Sequence, residues 1–177
     1  MSLAWRALAA AALGAGLVVG LSACSTLGQP PAADGLSGRL SVRIDGQPER
    51  ALSAGFELTG NVDTGLLALN GPLGATLAQA RWSPGQAVLA SGGTETRFAD
   101  LDSLAGAALG EAVPMAALFD WLRGRAWAGA ASTPRPDGGP GFVQLGWQID
   151  LARWADGWVD ATRNAPPVVT VRVRLER

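Results

Sequence analysis

The sequence predicts a mainly β chain with short α-helices, arranged as one strongly curved antiparallel sheet or a barrel. Three observations carry this. Apolar residues alternate with period two in short segments from Leu36 to Phe98 and again from Val143 to Leu175. Glycine, proline and asparagine mark nearly every break between them. Between the two runs, from Asp100 to Gly124, the apolar spacing becomes helical.

In the first segment Leu36, Gly38, Leu40, Val42 and Ile44 share one face, with Arg39, Ser41 and Arg43 opposite, the pattern of a half-buried strand. After a turn at Gly46 to Pro48, Leu52, Ala54, Phe56 and Leu58 repeat it against Ser53, Glu57 and Thr59. Gly60-Asn61-Val62-Asp63 turns the chain into a more apolar strand, Leu66 to Leu69. Asn70 to Gly74 forms a Gly/Pro loop that contains Leu73, and strands follow at Ala75 to Trp82, Ala87 to Ser91 and Glu95 to Phe98. Asp100 is placed as an N-cap for a helix through Leu101, Leu104 and Ala108 that stops at Gly110. Pro114 suits the first position of a second helix, whose stripe of Met115, Leu118, Phe119 and Leu122 ends at Gly124. Residues 128–141 read as a loop without a strand. Val143, Leu145, Trp147 and Ile149 then alternate as one strand, Trp154 and Trp158 flank a turn at Asp156-Gly157, and Pro166-Pro167 precedes a last strand over residues 168–175.

The N-terminal segment reads differently. Arg6 precedes an unbroken run of Ala, Leu, Gly and Val that ends in Leu21-Ser22-Ala23-Cys24. This has the form of a bacterial lipobox, with residues 1–23 as signal peptide and Cys24 as the lipidated residue, carrying diacylglycerol and an N-acyl chain. The run is shorter than the ~20 residues a membrane-spanning helix needs. Residues 24–35 are rich in Gly, Pro and Ala and read as a tether, of which the ten residues from Ser25 to Asp34 could reach about 35 Å when extended. Residues 36–177 then make one domain.

Composition narrows the chemistry. The chain has no histidine, lysine or tyrosine and a single cysteine. Ser-His-Asp and Cys-His pairs, Schiff-base lysines and histidine-bearing metal sites are therefore excluded, and no cofactor or metal is expected beyond the lipid on Cys24. Carboxylate chemistry remains, but Asp100, Asp102, Asp120, Asp156 and Asp160 sit where caps and solvated faces explain them, so no catalytic residue is assigned. The net charge of −1 and the lack of a basic stripe argue against nucleic acid as a partner.

Taken in order, these residues resemble the LolB family, the outer-membrane lipoproteins that receive other lipoproteins from the periplasmic carrier LolA. The likeness rests on Phe56-x-Leu58, Gly65-x-Leu67-x-Leu69-x-x-Pro72-Leu73-Gly74, Val113-Pro114 with Leu118, Trp121-Leu122 and Gly124, and Gly146-Trp147-x-Ile149. It implies an incomplete, open antiparallel β-barrel with helices covering an apolar cavity. It further implies that Pro72, Leu73 and Gly74 form a membrane-insertion loop with Leu73 as the residue that meets the bilayer. Strand alternation and helix spacing nominate the lining of that cavity: Leu40, Val42, Phe56, Leu58, Leu67, Leu69 and Trp147 from the sheet, with Met115, Leu118 and Leu122 from the second helix.

The expected partners are LolA, the acyl chains of cargo lipoproteins and the inner leaflet of the outer membrane, met by a monomer that is lipid-anchored and faces the periplasm. Ser25, in place of an aspartate after the lipidated cysteine, fits outer-membrane sorting in the family's pattern. Departures from that pattern are the missing helical segment before the first strand, the strandless 128–141 region, a final hairpin merged into residues 168–175, and Leu151 and Trp154 at the positions of the family's own aromatics. A small-lipid-binding lipoprotein, or a structural lipoprotein with a filled core, are the alternatives.

Overall fold

The computed structural model describes residues 35–176. The expected signal peptide, Cys24 and nearly all of the expected tether lie outside the described residues. All eleven strands join one antiparallel sheet, in the order β6-β5-β4-β3-β2-β1-β11-β10-β9-β8-β7. Its first six strands are β1 (Leu36–Ile44), β2 (Leu52–Gly60), β3 (Gly65–Asn70), β4 (Thr76–Ser83), β5 (Gln86–Ser91) and β6 (Thr94–Phe98). They form a meander in which each strand pairs with the next. The second meander comprises β7 (Ser132–Pro134), β8 (Gly141–Gln144), β9 (Trp147–Asp150), β10 (Trp158–Arg163) and β11 (Val169–Leu175).

The two meanders meet where β1 pairs with β11, from Gly38 opposite Leu175 to Ile44 opposite Val169. The approach at Gly38 is close: a Cβ there would lie 2.0 Å from the Arg174 carbonyl oxygen, so this crossing requires glycine. β6 and β7 do not pair with one another, and the sheet stays an open barrel.

Local chemistry explains the helices. Asp100 accepts a hydrogen bond from the Ser103 N–H at 2.7 Å and caps α1 (Leu101–Leu109), which ends at Gly110 in the left-handed region. Hydrogen bonding from the Ser103 side chain, and then from its N–H, holds the Asp100 carboxyl below its usual range. Of the predicted apolar stripe, Leu101 and Leu104 are buried but Ala108 is exposed, and Ala105 takes its place. α2 (Met115–Trp121) begins one residue later than expected, with Pro114 as its N-cap. Proline has no side chain with which to cap, and Asp102 of α1 instead accepts from the Met115 N–H at 3.0 Å. The segment joining the helices is pinned to β10 by an ion pair between Arg163 and Glu111 at 2.6 Å.

Three expectations for the C-terminal half are corrected. Residues 128–141 contain β7, an edge strand that pairs only with β8, a position at which a sheet tolerates a proline such as Pro134. The single strand expected over residues 143–149 is a hairpin. Leu145 (φ 52°) and Gly146 (φ 77°) form a two-residue turn, and Gln144 pairs with Trp147. The final hairpin is not merged: β10 and β11 are separate and pair from Trp158 opposite Arg174 to Arg163 opposite Val169.

Candidate functional site: an apolar cavity beside an exposed leucine loop

The concave face of the sheet and the two helices enclose a cavity of about 600 Å³. Strand alternation sends Leu40 and Val42 of β1, Phe56 and Leu58 of β2, and Leu67 and Leu69 of β3 into it. Met115, Leu118 and Leu122 reach it from the other side, one turn apart on α2 and its C-cap. Sequence reading did not assign Ala78, Ala80 and Leu89 of β4 and β5, Leu104 and Leu109 of α1, or Val171 and Val173 of β11, which also line it. The alternation of β11 was visible, but its place beside β1 was not, because that pairing joins opposite ends of the domain.

The lining is almost wholly apolar. Its only ionisable members are Glu49 and Arg50, on the short 3-10 turn between β1 and β2. An apolar void of ~150 Å³ already stays dry and admits benzene, so this one is large enough for a flexible aliphatic ligand.

Trp147 is the one nominated residue that does not line the cavity. The Leu145-Gly146 turn shortens β9 to four residues and seats it beyond β11 and β10, away from β1. There Trp147, buried to 2% exposure, packs on Trp121 of α2 with ring centroids 6.0 Å apart. Trp121 is fixed in turn, since its indole N–H donates to the buried Gln144 side chain at 2.8 Å. This end of the sheet is filled core.

The loop between β3 and β4 stands beside the cavity. The Gly74 N–H donates to the Gly71 carbonyl at 3.0 Å, which makes residues 71–74 a β-turn with Pro72 and Leu73 at its two central positions. The apex position leaves Leu73 99% exposed, with Pro72 and Gly74 exposed on either side. Directly beneath the turn, Leu69 pairs with Ala78, and both line the cavity. Leu73 therefore projects from the same end of the sheet as one lip of the cavity.

The carboxylates do structural work. Asp100 and Asp102 cap helices, Asp120 pairs with Arg125 at 2.7 Å, and Asp160 pairs with Arg172 at 2.5 Å, while Asp156 is exposed in a turn. Among the described residues no group of three or more His, Cys, Asp or Glu could hold a metal ion, and no helix is long and apolar enough to cross a membrane.

A family model described as outer membrane lipoprotein LolB matches residues 35–176, the whole of this sheet and both helices. The chain belongs to the LolB family. Curated LolB proteins agree: it is 36% identical to outer-membrane lipoprotein LolB of Bordetella pertussis over 151 residues, covering 78% of this chain and 75% of that one. Identity to the Bordetella petrii LolB is 33% over 156 residues, 81% and 78% of the two chains. The Chromobacterium violaceum LolB is 33% identical over 121 residues, 68% and 64%. The open sheet with helices over an apolar cavity agrees with the architecture expected from the LolB resemblance.

Proposed function

We propose that this protein is an outer-membrane lipoprotein that takes the acyl chains of other lipoproteins from the periplasmic carrier LolA into its cavity. It then releases them into the inner leaflet of the outer membrane. The observation that carries this reading is the open apolar cavity of about 600 Å³ with the fully exposed Leu73 at its side. Each acyl methylene exposed to water costs ~0.8 kcal/mol, so a lipoprotein in transit needs such a surface at every stage. Membership of the LolB family supports the role in lipoprotein localisation, and a lipid on Cys24 would hold the cavity near the bilayer.

Transfer is downhill on this reading. The bilayer is the best solvent for acyl chains, and no step requires a nucleotide or a metal. Arg50 and Glu49 stand at the cavity wall where the polar end of a bound lipid would emerge. The cavity weighs against a filled-core structural lipoprotein.

The test uses residues 24–177 with Cys24→Ala, mixed with LolA loaded with an acylated lipoprotein. Recovery of the cargo on the tagged acceptor without added nucleotide is the expected result. Cargo that stays on a competent donor, with glycerophospholipid found in the acceptor instead, would replace this reading by small-lipid binding.

A further inference from the structure

Leu73 does not stand alone at its end of the sheet. Residues 64–80, between Asp63 and Arg81, form the longest stretch without an ionisable side chain among the described residues. Every residue from Pro72 to Leu77 is exposed. Of the four large hydrophobic side chains exposed among the described residues, two, Leu73 and Leu77, belong to this stretch.

Leu77 is placed by a β-bulge. Leu69 pairs with Ala78 but Asn70 pairs with Thr76, so Leu77 is the extra residue on β4. Bulges re-aim side chains, and here Leu77 is left 45% exposed while Ala78 and Ala80 keep their places in the cavity wall. Its side chain lies alongside the base of the loop: a Cβ added at Gly71 would meet Leu77 Cδ2 at 3.4 Å.

The base of this tip is bonded within the protein. The Leu77 carbonyl accepts from the Ser91 hydroxyl at 3.1 Å, and the Gly71 N–H donates to the Ala75 carbonyl at 2.8 Å. A surface entering lipid must satisfy such groups internally and leave charges behind.

We propose that Leu77 is a second bilayer contact, which with Pro72, Leu73 and Ala75 forms an uncharged foot that seats the cavity mouth against a phospholipid surface. The inference rests on the membrane role proposed for the Leu73 loop and extends it from one side chain to a patch. Two contacts, one at the apex of the turn and one at the bulge, define a direction as well as an affinity, so the foot orients the cavity and does not merely tether it. Because the patch is uncharged, it needs no anionic lipid.

The test uses residues 24–177 with Cys24→Ala, which removes the only cysteine, and single cysteines introduced as Leu73→Cys, Leu77→Cys or Val62→Cys. Val62 is 39% exposed in the turn between β2 and β3, at the opposite end of β3. Each variant is labelled with an environment-sensitive NBD dye and mixed with pure phosphatidylcholine vesicles at low and high salt. The expected result is a blue shift at positions 73 and 77 at both salts and none at 62. Leu77→Ser should weaken vesicle binding about 5-fold, as expected for a half-exposed leucine, at an unchanged melting temperature. A shift at 73 with position 77 still aqueous, or normal binding by Leu77→Ser, overturns the inference and leaves the loop reading standing. No shift at 73 or 77 removes both. A shift at 62 equal to that at 77 overturns the end-on contact, and a shift at 77 produced by LolA without vesicles assigns the patch to a protein partner and overturns it.

Discussion

Filling the cavity from its own wall separates its role in binding from any role in folding. Ala78 lies on β4 beneath the Leu73 turn, half-buried and facing the cavity. In Ala78→Phe the added ring takes roughly the ~150 Å³ that an apolar void gives a benzene molecule, about a quarter of the 600 Å³ present. Each acyl methylene kept out forfeits ~0.8 kcal/mol, so excluding only three costs about 2.4 kcal/mol, roughly 60-fold in affinity. The fold moves the other way. A ring buried even partly in an existing void adds about 1 kcal/mol, or ~3 °C in melting temperature for a domain of this size. The assay pairs a thermal melt with displacement of a bound fluorescent fatty acid by an acylated peptide. The expected signature is weaker binding with equal or higher stability. Undiminished affinity at raised stability would show that acyl chains bind elsewhere, and the argument from the cavity would fail. Lower stability together with lost binding would mean that the wall cannot accept the ring, and that the void is tighter than its volume implies.

Other outcomes follow from particular contacts. Leu73→Glu should leave the melting temperature unchanged, since the side chain is 99% exposed, yet reduce release of bound cargo into liposomes at least 10-fold, because a buried leucine is worth ~1.5–3 kcal/mol and a carboxylate opposes insertion. Gln144→Leu should cost about 3–5 kcal/mol in a urea titration: it removes bonds to the Trp121 indole, the Trp127 N–H and the carbonyls of Trp127 and Ala130 in a site of 1% exposure. Acid should weaken the fold through Asp100 and Asp137. The Ser103 bonds lower the first, and the Gly139 N–H followed by the Arg135 guanidinium lower the second. A carboxyl whose folded pKa lies below its unfolded one stabilises above the unfolded value, near ~3.9, and loses that stabilisation as pH falls through the folded one. Asp100→Asn and Asp137→Asn should therefore flatten the stability profile below about pH 4 and leave its neutral-pH shape unchanged.

Features set within a few residues of chain are legible in the amino-acid sequence alone. Alternation placed Val42, Phe56 and Leu58 on the inner face because successive side chains of a strand must point to opposite sides. The Asp100 cap, the Met115-Leu118-Leu122 stripe and the Pro72-Leu73 turn are equally local, each set by a few backbone angles. The hairpin at Leu145-Gly146 escaped the same logic. A leucine at positive φ is uncommon, and the alternation of Val143, Leu145, Trp147 and Ile149 runs unbroken through the turn. Across a two-residue turn Gln144 and Trp147 are partners, so the inner face of β8 carries Phe142 and Gln144, not Val143. A polar residue at a core position reads as an outward one until its bonds to Trp121 and Trp127 are seen. Which inward side chains meet a neighbour and which meet a void is a long-range matter. Trp147 finds Trp121 and makes core, whereas Leu40 and Leu67 face open space, and nothing in their own segments distinguishes the two. Periodicity assigns a side chain to a face, but whether that face is filled depends on the pairing of β1 with β11 and on where both helices come to rest.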